Sequence, residues 1–326
     1  MYQYRICNLN LSSTIPFSLP TARGKRAKVA DIRFKIDLSN PRVNVPTNHP
    51  IGIIRNGAGH PTIAVYQTNG KFILDCNNGY KRIQFTMAPD GSWIECYPFD
   101  GAGKEDIELW LFGLILSFVL QNRGIYTLHA AAVNCDGRAI AFLGMNGYGK
   151  TTLAYSFLKE GASLITDDVL PIVQYKSGIF ALPACPSMNL WAETLSAFSA
   201  IKKRKREARE GKHRYSAQIL DVRFCRSKVP LRAIYLLEPT AKEASKEVEI
   251  TPVSRAQAMI DLLAYTRANS MIGLLEQKEL IKTYATLLEK VPVRRLRYSR
   301  GFEFLPQIYN AIREDGCGSV ESARQQ

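Results

Sequence analysis

The chain has 326 residues, 46% of them hydrophobic and 22% charged, the composition of a folded protein large enough for two domains or one large one. No apolar run reaches the roughly 18 residues of a spanning helix, and the N-terminus Met1-Tyr-Gln-Tyr-Arg-Ile-Cys lacks a signal-peptide core, so neither membrane nor secretion is expected. A net charge of +14 brings polyanions into consideration, while seven scattered cysteines without a C-x-x-C pair, and His49, His60, His129 and His213 away from metal-ligand spacing, argue against a disulfide framework or zinc site and for a reducing cytoplasm.

Residues 1–103 read as a β-rich domain. Tyr2–Leu11, Ile32–Leu38, Thr62–Tyr66, Lys71–Asp75, Arg82–Met87 and Ser92–Tyr97 are short β-branched or aromatic segments separated by Gly, Asn, Asp and Pro. Gln67-Thr-Asn-Gly-Lys and Ala88-Pro-Asp-Gly-Ser carry the Asn-Gly and Asp-Gly signals of hairpins. No catalytic cluster stands out, so this domain reads as a structural cover or recognition lobe. The basic stretch Arg23–Lys28 falls within it.

Gly101-Ala-Gly-Lys predicts a loop, and Glu105-Asp106 start a helix with acids at its positive end. Leu109–Leu120 is apolar on nearly all sides, which predicts a helix buried between the two lobes and ending at Asn122-Arg-Gly. Ile125–Val133 and Arg138–Leu143 then predict a hairpin through Asn134-Cys-Asp-Gly, leading His129 and the next segment to one sheet.

That segment, Gly144–Thr151, reads G-x-x-x-x-G-K-T, between the apolar strand Ala139–Leu143 and the predicted helix Thr152–Leu158. Strand, glycine loop and helix are the context of a phosphate-binding loop. Gly144, Gly147 and Gly149 let backbone N–H groups turn inward, and the helix N-terminus adds partial positive charge. Gly144, Met145, Asn146, Gly147, Tyr148, Gly149, Lys150, Thr151 and Thr152 are the predicted nucleotide-binding set. Lys150 can reach the β- and γ-phosphates of ATP, and the Thr151 hydroxyl can ligate Mg²⁺.

Asp167 and Asp168 follow the apolar Ser163-Leu-Ile-Thr. One acid at such a strand end suits Mg²⁺, and a second could take a proton from an attacking hydroxyl. Taken singly, the pair reads as well as a turn before Pro171, and His129 as well as a satisfied core histidine.

Val169–Tyr175, Ile179–Leu182, Arg232–Glu238, Val248–Pro252 and Val293–Tyr298 are predicted strands. Ser254–Leu263, Glu276–Leu288 and Leu305–Ile312 are predicted helices, with Ser254 and Gln257 as a capping box, and Glu193 as a helix-surface residue. From Glu314 onward a disordered tail is expected. Lys202–Arg214 carries eight positive charges against two acids. It reads first as a solvated loop, next as a segment closing over an acidic or phosphorylated ligand, and last as a nucleic-acid contact, since no nucleic-acid motif accompanies it.

The ordered set Leu128-His-Ala-Ala-Ala-Val133, Asp136-Gly137, Gly144 through Lys150-Thr-Thr-Leu-Ala154, and Leu164-Ile-Thr-Asp-Asp-Val169 resembles the HPr kinase/phosphorylase superfamily. Tyr4-Arg5-Ile6, Glu108–Leu116 and Gln121-Asn-Arg-Gly124 are similar to its HPr-kinase-like relatives, some of which phosphorylate a serine of a lasso precursor peptide. Pro183-Ala-Cys-Pro-Ser-Met-Asn-Leu-Trp191 is similar to a stretch near the active site of related kinases. Those often carry a basic residue where Met188 or Asn189 stands, so that contact does not carry over.

The resemblance implies an α+β protein, with a β-rich N-terminal domain (1–103), a P-loop domain of the HPr kinase/PEP carboxykinase kind (104–313) and a tail (314–326). It implies a kinase moving the γ-phosphoryl group of Mg²⁺-ATP to a hydroxyl, serine above all, of a peptide or small protein. Asp167 would be the base, Lys150 the charge-neutralising residue, and His129 a hydrogen-bonding partner of the acid pair or the phosphates. Thr151 and Asp168 would hold the metal; two adjacent acids can exchange these roles. No nucleic acid or membrane partner is expected, a homo-oligomer is compatible, and a nucleotide switch without an acceptor is the rival reading.

Overall fold

Alternating apolar residues build the first sheet of the computed structural model, which describes residues 1–22, 29–38, 49–55, 60–198, 212–240, 247–267 and 274–317. Its strands are β1 (Tyr2–Ile6), β2 (Leu9–Ser13), β3 (Ile32–Ile36), β4 (Gly52–Arg55), β5 (Pro61–Thr68), β6 (Lys71–Asn77), β7 (Arg82–Met87) and β8 (Trp93–Phe99). Their order is β1-β2-β3-β8-β7-β6-β5-β4. Tyr2–Leu11, read as one strand, is two, because Cys7 and Asn8 both take positive φ (51° and 63°) and reverse the chain. Asn69 and Gly70 (43° and 72°) make the predicted hairpin turn between β5 and β6.

Register puts Phe72 opposite Met87, Leu74 opposite Phe85 and Cys76 opposite Ile83. On Phe72 packs a helical run made of α1 (Lys104–Trp110), a π turn (Leu111–Ile115) and α2 (Leu116–Asn122). Phe118 meets Phe72 edge-on at 5.0 Å, and Phe112 meets Phe17 at 4.9 Å. In the π turn the Leu116 N–H reaches the Leu111 carbonyl, and the Ser117 hydroxyl donates to the Gly113 carbonyl at 3.0 Å. A Cβ on Gly91, in the β7–β8 turn, would lie 2.4 Å from Val119 Cγ1, so only glycine lets α2 approach that turn.

The chain divides into two units, Met1–Thr127 with Thr266–Leu280, and Leu128–Tyr265 with Ile281 onward. The boundary expected at residue 103 therefore moves to Thr127. The greasy helical run packs on Phe72 of the first sheet and on Phe17 in the segment after β2, and so belongs with that unit.

The second unit is built on β9 (Tyr126–Cys135), β10 (Arg138–Leu143), β11 (Ser163–Thr166), β12 (Val169–Tyr175), β13 (Gly178–Ala181), β16 (Val229–Thr240), β17 (Glu249–Pro252) and β18 (Val293–Ser299). A separate ribbon pairs β14 (Ser187–Trp191) with β15 (Lys212–Ser216). The strand order is β10-β9-β12-β13-β16-β18-β17, and β10 also pairs with β16, so the run from β10 to β16 closes on itself. The hairpin turn between β9 and β10 is Asp136-Gly137, both at positive φ (52° and 80°). Strands β10, β16 and β18 are mutually parallel and finish at one edge.

The helices here are α3 (Lys150–Lys159), α4 (Ala192–Ala197), α5 (Arg255–Ala264), α6 (Leu274–Lys290) and α7 (Leu305–Cys317). Phe157 of α3 packs 5.5 Å from Phe142 of β10 and 4.7 Å from Tyr309 of α7, burying one face of the parallel strands. The Ser254 hydroxyl accepts the Gln257 N–H at 3.2 Å, but the Gln257 amide turns to Asp261, so the capping box is half-formed. The chain stays helical past Glu314 to Cys317, because Asp315 accepts the Tyr235 hydroxyl at 2.7 Å and pairs with Arg294 at 2.8 Å. The rest of the expected tail, the basic stretch Arg23–Lys28 and residues 202–211 of the second basic run lie outside the described residues.

Among the described residues no helix is long and apolar enough to cross a membrane. Cys7, Cys76, Cys96, Cys135, Cys185 and Cys225 are buried and form no disulfide.

Candidate functional site

Strand register brings the predicted site residues to one edge of the second unit. Leu143, the last residue of β10, pairs with Ala130 of β9. His129 is therefore the neighbour, across the ladder, of the point where Gly144 leaves the sheet. On the other side of β9, the Ala130 N–H donates to the Asp168 carbonyl at 3.3 Å, and Thr166 of β11 pairs with Ala132. Three adjacent strands thus deliver the glycine loop, the imidazole and the two acids.

The loop Gly144–Gly149 turns directly into α3, whose N-cap Gly149 is left-handed at φ 86° and ψ 12°. A side chain there would be strained, and its Cβ would stand 3.3 Å from the Tyr298 hydroxyl. The Tyr148 N–H donates to the Met145 carbonyl at 3.2 Å, and Met145 points outward, 60% exposed, with Asn146 and Gly147 exposed beside it. Lys150 is 7% exposed, and its ammonium donates to the carbonyls of Gly144 (2.6 Å) and Met145 (3.2 Å). Thr151 and Thr152 are half-buried in the first turn of α3; the Thr152 hydroxyl lies 3.3 Å from that of Thr194. The first N–H groups of α3 have no partner within the helix, which gives this end its affinity for anions.

The two acids have different surroundings. Asp167 is 6% exposed, and its Oδ2 accepts the Asn189 N–H at 2.6 Å. Asp168 keeps about a fifth of its side chain exposed, and its Oδ1 lies 2.8 Å from His129 Nδ1. The same ring nitrogen is 3.3 Å from the Asp168 carbonyl. Two acceptors around Nδ1 place the ring proton there, so Nε2 is the basic nitrogen of the neutral ring. The His129 N–H, in turn, donates to the Tyr265 carbonyl at 2.7 Å.

Three residues outside the predicted set also touch this machinery. The Tyr298 hydroxyl donates to the Tyr148 carbonyl, and Arg300 Nη1 donates to the Gly147 carbonyl at 3.2 Å. Burial pushes the Tyr298 phenol well up, slightly offset by Arg300, which keeps it a donor. Tyr298 is the penultimate residue of β18 and Arg300 directly follows that strand, which runs parallel to β16 and so to β10. Position at the carboxyl end of a parallel strand is the signal that would have found them. The third, Asn189, acts through its backbone, so its side-chain type carries no signal. Glu193 sits in the first turn of α4.

Among the described residues no group of three or more His, Cys, Asp or Glu side chains could hold a metal ion by itself.

No family model matches the sequence, and no curated protein matches it. Among solved structures, the chain is similar to the Hpr(Ser) kinase/phosphatase from Coxiella burnetii at 12% identity and a TM-score of 0.32, covering 59% of this chain and 97% of that one. The likeness is distant.

Proposed function

We propose that the chain is a P-loop phosphotransferase that moves the γ-phosphoryl group of ATP to a hydroxyl, in first place a serine of a peptide or small protein, with a lasso precursor peptide as one candidate acceptor. One observation carries this reading. The strand register that ends β10 in the glycine loop also sets His129 beside it and the Asp167-Asp168 pair in the bend between β11 and β12, on the far side of β9. The resemblance of those same residues to HPr-kinase-like kinases supports it.

In this reading the triphosphate lies over Gly144–Thr151, held by loop and helix N–H groups. Lys150 leaves the Gly144 and Met145 carbonyls to neutralise the β- and γ-phosphates. Mg²⁺, when bound, would neutralise further phosphate charge, and Thr151 and Asp168 would be the residues to hold it. The acceptor oxygen bonds to the γ-phosphorus as the bond to the β–γ bridging oxygen breaks, and ADP leaves with that oxygen. Asp167, fixed by the Asn189 N–H, takes the acceptor's proton. His129 holds Asp168 in place through Nδ1.

Incubation with γ-labelled ATP and candidate precursor peptides tests the proposal, with transfer read by mass spectrometry as a phosphate-sized mass gain. Lys150→Ala and Asp167→Asn should each lower transfer by at least about a hundred-fold. A nucleotide switch would instead lose its output with Lys150→Ala and keep it with Asp167→Asn, and that result would sink the kinase reading.

A further inference from the structure

Beside the glycine loop lies a cavity of about 170 Å³. Four of its lining residues, Gly147, Tyr148, Gly149 and Thr152, belong to the loop or to the first turn of α3. The opposite wall is Pro239, Tyr298, Arg300 and Phe302, which stand at or just past the carboxyl ends of β16 and β18. The cavity therefore occupies the crevice outside the ends of three parallel strands, where open α/β sheets take their ligands.

Its size and chemistry narrow the occupant. It is smaller than the roughly 300–1,000 Å³ of pockets that enclose a whole drug-sized ligand, so it suits one ring system of a ligand that continues elsewhere. Tyr148, Tyr298 and Phe302 supply aromatic surface, and Leu153 and Leu305 an apolar floor. The Phe302 ring is 41% exposed yet anchored, packed at 6.4 Å on Phe198, which packs at 5.1 Å on Tyr155. Arg300 lies 6.0 Å from the Tyr148 ring centre and is the only charged side chain among the described lining residues.

From this we infer that the cavity is the nucleobase pocket of the phosphate loop, and that it holds the base by stacking and apolar contact rather than by an edge-reading carboxylate. The inference rests on the phosphate-binding reading of Gly144–Thr151 and deepens it. Every base offers a π-face, so such a pocket grips adenine and guanine to similar extents. Arg300, the one cation, can donate to ring or carbonyl acceptors of either purine. The acceptor for the phosphoryl group enters elsewhere, on the side of Asp167.

Calorimetric titration of the full chain with MgATP, MgGTP and magnesium tripolyphosphate tests the assignment, in the wild type and in Phe302→Ala and Phe302→Tyr. MgATP and MgGTP should bind within about ten-fold of each other and tripolyphosphate roughly ten-fold or more weaker. Phe302→Ala should weaken both nucleotides by roughly ten-fold and leave tripolyphosphate unchanged, with Phe302→Tyr restoring them. An unchanged melting temperature for Phe302→Ala assigns the loss to the pocket. Tripolyphosphate binding as tightly as MgATP would overturn the base pocket while leaving the phosphate cradle standing. A purine preference above about a hundred-fold would overturn recognition by stacking. Loss of acceptor-peptide binding with unchanged MgATP affinity would give the cavity to the peptide instead. Failure of all three ligands to bind the wild type would sink the cradle, and the pocket with it.

Discussion

Lys150 and Tyr298 illustrate how much one side chain can decide about a loop. The Lys150 ammonium rests on two carbonyls of its own loop, so it is already desolvated and paired before any phosphate arrives. Tyr298 holds the Tyr148 carbonyl from outside. Tyr298→Phe should remove one hydrogen bond, cost about 1 kcal/mol of stability, and weaken triphosphate binding several-fold without loss of fold. Because burial raises the Tyr298 pKa, its hydroxyl stays protonated, and the difference between Tyr298→Phe and wild type should be constant from about pH 6 to pH 10. Titration of both proteins across that range checks this; a difference that vanishes well below pH 10 would show that the hydroxyl is not the donor. The loop, Lys150, His129 and the acid pair were legible in the sequence because each belongs to a short, chemically marked run. Tyr298 and Arg300 were not, since their relation to Gly147 and Tyr148 exists only through the pairing of β16 with β18.

Elements were read best where local chemistry settles the conformation. The β9–β10 hairpin and α3 stand where turn residues and glycines place them. The start of α1 follows the same logic. Asp106 accepts the Gly103 N–H at 2.9 Å and the Lys81 ammonium at 2.7 Å. Burial alone would raise its pKa, but Lys81 and that N–H outweigh it and hold the carboxyl below its usual range. A carboxyl depressed in the folded state stabilises fully above its unfolded pKa of about 4 and ceases to do so as pH falls through the lowered value. Asp106→Asn should therefore cost about 1 kcal/mol at pH 7, the exposed side of Lys81 limiting the gain, and almost nothing near pH 2. Urea denaturation at both pH values measures it; an equal cost at both would remove the charge from the explanation. The break between β1 and β2 escaped sequence reading because Cys7-Asn8 is not a marked turn dipeptide, although both residues adopt positive φ.

The whole molecule is two units whose chain segments interleave, and no local pattern announces that. Residues 266–280 return to the unit begun by residues 1–127, where the Arg267 N–H donates to the Thr127 carbonyl at 2.8 Å. The loop-bearing unit likewise needs its late residues. β18 pairs with β16 along Ile234–Thr240, and Tyr309 of α7 packs on Phe157. A fragment of residues 128–265 should show no cooperative melting transition by circular dichroism, whereas the full chain should; a sharply melting fragment would refute the dependence on β18 and α7. The same interleaving governs the protein's birth on the ribosome. Its first unit emerges first, and all eight strands of its sheet are made by Phe99, but the Arg267 N–H that bonds the Thr127 carbonyl is made only after the entire stretch from Leu128 to Tyr265. A nascent chain paused anywhere in that interval holds a first unit that still lacks its late segment, which makes it a natural client for chaperones.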